Sequence, residues 1–197
     1  SEKHKQLFSA YYKMSRFKTY QQLQADLSGY DLSGKIAEVG ISNGLIYNMC
    51  DVERSTFLEL RYPTHDMQNL STVEDDYLDV YICDNTLEHI VSPQKGISEC
   101  YRVLRNGGIG IFIVPFIAQC QPDDYHRFSK LALHNIFKRF SNVTIKGWGN
   151  REAAACYIKH DKWVTVDKEE GGLLHCYNRK IEGWRKKLPN LNDEKYP

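Results

Sequence analysis

The sequence predicts an α/β protein with a doubly wound, mostly parallel sheet, and three observations carry that expectation. Short apolar runs at Ile36 to Val39, Thr56 to Leu60, Tyr77 to Cys83 and Ile109 to Val114 alternate with segments of helical spacing. The first run ends in a turn marked by Gly40 and Gly44, and the third ends in a polar cluster, Asp84 to His89. Open parallel sheets bind ligands at the carboxyl ends of their strands, where the chain order reverses beside the first strand. The loop from Gly40 to Gly44 is therefore the candidate binding site.

A chain of 197 residues, 42% hydrophobic and 26% charged, suits one globular domain. The expected division is a helical cap over residues 1–34, a binding core over 35–150 and an extension over 151–197. Lys and Arg number 26 against 25 Asp and Glu, and a net charge of +1 gives no general attraction to nucleic acid or an anionic membrane. No apolar run approaches the roughly 18 residues a membrane span needs, and the N-terminus lacks a signal-peptide core, so the expected location is the cytoplasm. The chain starts at Ser1 without an initiator Met, which suits a trimmed product or one domain of a longer polypeptide. Cysteines 50, 83, 100, 120, 156 and 176 are scattered without a Cys-x-x-Cys pair, which favours buried thiols over a disulfide framework or zinc site.

Leu7, Tyr11, Met14, Phe17, Tyr20, Leu23 and Leu27 recur every three or four residues, predicting one or two amphipathic helices that end near Gly29. The accompanying Lys3, Lys5, Lys13, Arg16 and Lys18 read as a solvated basic face. Only a clipped helix, Leu45 to Cys50, fits between the first two strands, since a full parallel crossover takes about a dozen residues. Glu59, near the end of the second strand, is placed to accept hydrogen bonds from a ribose diol; a solvated edge-strand glutamate is the alternative. The third strand, Tyr77 to Cys83, is apolar on both faces apart from Asp79, as a buried parallel strand should be. Ser92 and Pro93 are a cap and first residue for the next helix, and Asn106-Gly107-Gly108 is its expected stop. Ile109 to Val114 is then a strand ended by Pro115, Leu131 to Phe140 a helix and Val143 to Trp148 a further strand. Ala153 to Ile158 and Trp163 to Val166 are candidates for the last strands, and Tyr177 to Lys187 for a charged terminal helix.

In order, these motifs resemble the class I S-adenosylmethionine-dependent methyltransferases, over roughly residues 35 to 148. Glu38-Val39-Gly40-Ile41-Ser42-Asn43-Gly44 is similar to their glycine-rich first motif, Glu59 to the ribose-binding acid and Asp66-Met67 to the adenine-contacting pair. Tyr77 to His89, with its Leu-Glu-His ending, is similar to the fourth-strand motif, and Arg102 to Gly108 to the one that follows. The resemblance implies a Rossmann-like fold and S-adenosyl-L-methionine as cofactor. Glu38, Gly40, Ser42, Gly44, Glu59, Asp66, Met67, Asp84 and Asn85 would then bind it. The sequence departs from the pattern at Ser42, where a glycine is expected, in the short first helix and in the missing third strand. Pro115 to Ser129, containing Asp124-Tyr125-His126-Arg127-Phe128, is similar to a segment of methyltransferases associated with glycan assembly. That implies a sugar hydroxyl of a glycan or other small-molecule acceptor, with Tyr125 and Arg127 facing it.

Methylating a sugar hydroxyl needs a general base, because the hydroxyl pKa is very high. His126 and His89 are the candidates, with Asp124 and Glu88 as the carboxylates beside them in sequence. Simple packing of His89 beneath the strand end, and a structural clamp by Arg127 on a carboxylate, are the bland readings. Histidines 4, 65, 134, 160 and 175 show no paired ligand spacing, so no obligatory metal is expected. Gly40-Ile41-Ser42-Asn43-Gly44 also spells the Gly-x-Ser-x-Gly elbow of α/β-hydrolases, with Asp84 or Asp123 and His126 completing a triad, but it ends the first strand rather than a later one. A nicotinamide dinucleotide site would need the full Gly-x-Gly-x-x-Gly spacing. A non-catalytic scaffold on the same fold is the third alternative.

Overall fold

The computed structural model describes residues 23–40, 49–116 and 122–147, and the backbone of 164–166 and 174–176. The chain divides into two compact units, one formed by Tyr30–Phe116 and Cys120–Ile145, the other by Ser1–Gly29, Ile117–Gln119 and Lys146–Pro197.

The larger unit is built on four parallel strands, β1 (Gly34–Val39), β2 (Ser55–Leu60), β3 (Leu78–Asp84) and β4 (Leu104–Ile113), in the order β2-β1-β3-β4. This is the expected parallel α/β architecture, with no strand between β2 and β3 in the chain. From β1 the chain steps out to β2 and then crosses to the opposite side of β1 to make β3, so the order reverses between β1 and β3. That reversal opens a crevice at their carboxyl ends. Ile36, Leu60, Leu78, Ile82 and Leu87 are fully buried, each contributing roughly 1.5–3 kcal/mol relative to exposure.

At the opposite end of the sheet Asp79 joins three strands. Its Oδ2 accepts from the Lys35 amide at 2.7 Å, and its other oxygen pairs with Arg105. Burial opposes the charge, but the Lys35 amide and Arg105 together hold the Asp79 carboxyl below the usual range. The one polar break in the third apolar run is therefore a structural tie.

Helix α1 (Pro93–Val103) starts at Pro93 as expected, but the Ser92 side chain makes no capping bond. Instead the Ser92 amide donates to Gln68 Oε1 at 2.8 Å, and the Ser92 carbonyl accepts from Lys95 and Gly96. The expected stop at Asn106-Gly107-Gly108 is corrected. The helix ends at Val103, β4 begins at once, and the glycines form a bulge inside it, Leu78 pairing with Leu104 but Val80 with Ile109. Gly107 takes φ +79, which the bulge requires and a side chain disfavours.

Helix α2 (Lys130–Ile136) is shorter than the expected Leu131 to Phe140. Ser129 Oγ caps it by accepting from the Ala132 amide at 3.2 Å. Its last turn tightens where Phe137 and Phe140 pack against Phe112 and Tyr101, at centroid distances of 4.8 and 5.3 Å. The strand expected at Val143 to Trp148 does not form over the described residues 143–147; Val143 and Ile145 are partly buried, but no strand among the described residues pairs with them.

In the smaller unit residues 23–27 are helical, and Lys146 Nζ pairs with Asp26 at 2.5 Å. Strands β5 (Val164–Val166) and β6 (Leu174–Cys176) form a separate antiparallel pair, so the strand expected at Trp163 to Val166 does not extend the parallel sheet. The expected helices before residue 23, most of Leu45 to Cys50, the strand Ala153 to Ile158 and the helix Tyr177 to Lys187 lie outside the described residues. Among the described residues no helix is long and apolar enough to cross a membrane.

Candidate active site

The carboxyl ends of β1 and β3 bring the first set of candidates together. Glu38 is 2% exposed near the end of β1, in register with Glu59 on β2. Gly40 follows at φ +95, and its amide bonds to the Leu60 carbonyl at 3.0 Å. A Cβ on Gly40 would collide with Thr86 Oγ1, which itself contacts the carbonyls of Val39 and Asp84 at 3.3 and 3.2 Å. Asn85, at φ +47, turns the chain away from β3 and donates its side-chain amide to Asp84 Oδ1 at 2.5 Å. Behind Glu38, burial and then the Glu38 charge push the Cys50 thiol up to about 11, so it is not a nucleophile at neutral pH. Ser42 and Gly44 lie outside the described residues.

The remaining cofactor candidates are less alike in setting. Glu59 is exposed and pairs with Arg61 at 2.7 Å. Asp66 Oδ1 accepts from the Gln68 amide at 2.8 Å in a local turn, and Oδ2 lies 3.5 Å from Gln68 Nε2. Met67 is buried at 4% exposure, its sulfur 4.0 Å from Cys83 Sγ.

A second cluster forms where the segment before α2 crosses the short 3-10 helix Leu87–His89. The Tyr125 and His126 amides both donate to the Glu88 carbonyl, at 2.8 and 3.1 Å, and Phe128 anchors the segment in the core at 6% exposure. This main-chain docking sets Asp124 Oδ1 3.1 Å from His89 Nδ1. On its other side Asp124 Oδ2 pairs with Arg127 Nη2 at 2.5 Å, and Arg127 Nη1 donates to the His126 carbonyl at 2.9 Å. Asp124 thus lies against His89 rather than His126, whose Nε2 faces the Val91 carbonyl at 3.3 Å. Arg127, read as a substrate contact or as a clamp on a carboxylate, pairs here with Asp124. Tyr125 remains outside, 62% exposed. Of the drawn hydrolase triad, Ser42 lies outside the described residues, and Asp123 approaches His89 rather than His126, Oδ2 to Nδ1 at 3.5 Å.

Glu88 completes the cluster from within. Its Oε1 is 3.9 Å from His89 Nε2, the residue is 2% exposed, and its Oε2 has no hydrogen-bond partner among the described residues. Burial pushes its carboxyl up to about 7; Asp124 adds to the rise, while its own amide, His89 and Arg127 oppose it. Donor atoms of Glu88, His89 and Asp124 lie within 4.8 Å of one another, a spacing a cation could use, yet the Arg127 guanidinium already supplies positive charge at Asp124. Sequence reasoning treated Glu88 only as a carboxylate that could orient His89 and did not single out Thr86. Burial of a residue in a three-residue helix has no periodic signature to reveal it.

Residues 17–112, just under half of the chain, match a family model described as a methyltransferase domain. None of the curated proteins matches the chain. Among solved structures, YcgJ from Bacillus subtilis is 11% identical, with a TM-score of 0.52 over 77% of this chain and 91% of that one. A SAM dependent methyltransferase from Aquifex aeolicus is 12% identical, with a TM-score of 0.50 over 72% and 86%. The match to the carbon methyltransferase CurJ, 12% identical at a TM-score of 0.46, covers 61% of this chain but only 46% of that one. At these identities the likeness is one of fold.

Proposed function

We propose that this chain, with a methyltransferase domain matched over residues 17–112 and the fold of its structural neighbours, is an S-adenosylmethionine-dependent O-methyltransferase. The favoured acceptor is a sugar hydroxyl of a glycan or nucleotide-sugar derivative. One observation carries the reading: the His89–Asp124 pair, at 3.1 Å, stands just past β3 on the side of the sheet where Gly40 turns out of β1. A base held by a clamped carboxylate, beside a turn with no room for a side chain, suits methyl transfer to a weakly acidic hydroxyl.

The residues present fit the cofactor. Gly40 turns the chain out of β1 at φ +95 without a side chain, the place of its Cβ being taken by the Thr86 hydroxyl, and the surrounding donor set is carboxylates, which suits a ligand that presents an ammonium group, a ribose diol and an adenine amino group. Glu38 or Asp84 would hold the ammonium, Glu59 the ribose and Asp66 the adenine amine. When bound, S-adenosylmethionine supplies an electrophilic methyl group on a sulfonium sulfur. His89 does the protein's share of the chemistry. With its Nδ1–H directed at Asp124, a tautomer assigned from this contact, its Nε2 carries the lone pair that takes the hydroxyl proton. Arg127 holds Asp124 in place. Preference for a sugar rests on the resemblance of residues 115–129 to glycan-associated enzymes and on the exposed ring of Tyr125, the residue that follows Asp124.

Thermal melting with and without S-adenosylhomocysteine tests the reading. Ligand at 100 times its dissociation constant adds about 2.7 kcal/mol, and each kcal/mol moves the midpoint of a domain this size by roughly 2–4 °C. A rise of several degrees is expected, reduced in Glu59→Ala. No rise at millimolar ligand removes the cofactor and with it the activity.

A further inference from the structure

We propose that Glu88 is the proton store of this site: its buried carboxylate receives, through His89, the proton released when an acceptor hydroxyl is methylated. This rests on the reading of His89 as the base. Glu88 is 2% exposed, whereas the His89 side chain is 30% exposed, so the imidazole is the group that touches both the buried carboxyl and the outside. His89 Nδ1 is occupied by Asp124 at 3.1 Å, and Nε2 faces Glu88 Oε1 at 3.9 Å. That separation is longer than a hydrogen bond, so the transfer requires the imidazole to move toward Glu88, as catalytic contacts commonly tighten once substrate is bound. Glu88 Oε2 has no hydrogen-bond partner among the described residues. A carboxyl kept under-satisfied in the interior, where apolar packing would cost less, points to use.

The surroundings bear on both protonation states. His89 faces Glu88 from the same short helix, Asp124 and Arg127 from the segment before α2, and Cys83 from β3. Asp123 lies beyond Asp124 at His89 Nδ1. Burial, with Glu88 as a neighbour, keeps the Cys83 thiol protonated, so it does not compete for the proton. With its carboxyl pushed up to about 7 by burial, Glu88 holds acid and carboxylate forms in comparable amounts near neutral pH. The step balances without any redox partner. The acceptor O–H bond breaks as its oxygen takes the methyl group, whose bond to the donor sulfur breaks with the electron pair left on sulfur; the proton goes to His89 Nε2 and, once the ring turns toward the carboxyl, from Nε2 to Glu88 Oε1. Glu88 changes from carboxylate to carboxylic acid, and it is restored when the proton leaves by the same imidazole to solvent.

The experiment needs no acceptor. The protein is labelled with 13C at the glutamate side-chain carboxyl, Glu88 is assigned by loss of its signal in Glu88→Gln, and its resonance is followed from pH 4 to 9. The expected inflection lies near pH 7. His89→Gln moves it up and Asp124→Asn moves it down, each by about half a unit or more, because the imidazole favours the carboxylate and Asp124 opposes it. An inflection near the ordinary 4.5, or one unmoved in both variants, overturns the proposal. Melting with S-adenosylhomocysteine separates the two readings. A retained ligand shift without coupling removes the relay alone, whereas coupling without any ligand shift removes the cofactor and with it the role of the relay in methylation.

Discussion

The Thr86 hydroxyl lies where a side chain on Gly40 would begin, and so ties the turn after β1 to the turn after β3. Gly40→Ala meets two penalties, the φ of +95 and the collision with Thr86 Oγ1. The backbone term alone is about 1 kcal/mol or more. Urea unfolding should show at least that loss, and the ligand-induced melting shift should shrink with it. Adding Thr86→Ala should recover part of the stability; strictly additive losses would mean the two residues do not meet.

Arg127 and Asp124 form an ion pair with side chains only 19% and 3% exposed. Replacing Arg127 with Met takes the guanidinium away from a buried carboxylate, and breaking a buried ion pair by removing one partner typically costs about 3–5 kcal/mol. Denaturant unfolding of Arg127→Met should show a loss of that order, and Arg127→Lys a smaller one. A loss under half a kcal/mol would assign Asp124 its stability from elsewhere.

His89, not His126, is the imidazole joined to a clamped carboxylate. On any acceptor that supports release of S-adenosylhomocysteine, His89→Ala should lower turnover about 100-fold or more, the usual scale for a general base. His126→Ala should stay within a few-fold, and both should bind S-adenosylhomocysteine normally. The reverse ranking would return the base to His126.

The pairing of Asp124 with His89 shows where sequence reading stops. Strands β1 to β4 are legible because runs such as Tyr77 to Cys83 are apolar on both faces, and only a sheet buried on both sides explains that. The Asp84 to His89 cluster is legible for the same topological reason, standing where the strand order reverses. Which histidine meets Asp124 depends on the Tyr125 and His126 amides bonding to the Glu88 carbonyl, and main-chain bonds leave no trace in side-chain identity. Asn106-Gly107-Gly108 misleads in a related way, because the same residues that stop a helix also make a bulge. Val143 to Ile145 has the alternation of a strand and no partner strand among the described residues.

Arg102 holds the segment before β3 against α1. Its guanidinium donates to the Leu70 and Val73 carbonyls, both at 2.9 Å, and pairs with Glu99 and Asp75 at 2.8 and 2.6 Å. Glu99 in turn accepts from the Leu70 amide at 2.7 Å. Hydrogen bonds to a charged group contribute about 1.5–3 kcal/mol each, though Asp75 is exposed and adds little. Arg102→Ala should therefore destabilise by roughly 2–4 kcal/mol in urea. An unchanged midpoint would mean the segment is held by Leu70 and Val73 packing alone.

Glu88 makes stability depend on pH with a definite sign. Its folded carboxyl titrates at about 7 rather than 4.5, so the folded state binds the proton more tightly than the unfolded chain. Below pH 4.5 both states are protonated and the group has no effect. Between 4.5 and 7 the unfolded chain ionises first, and stability falls as pH rises; above 7 the penalty is complete, at roughly 3 kcal/mol for a carboxyl moved from 4.5 to about 7. Glu88→Gln keeps the shape and removes the titration. The difference in unfolding free energy between Glu88→Gln and wild type should therefore shift in favour of the variant by about 2–3 kcal/mol between pH 5 and pH 8. A difference that stays flat over that range would mean that Glu88 ionises in the folded protein as freely as in water, and that its burial has no electrostatic consequence.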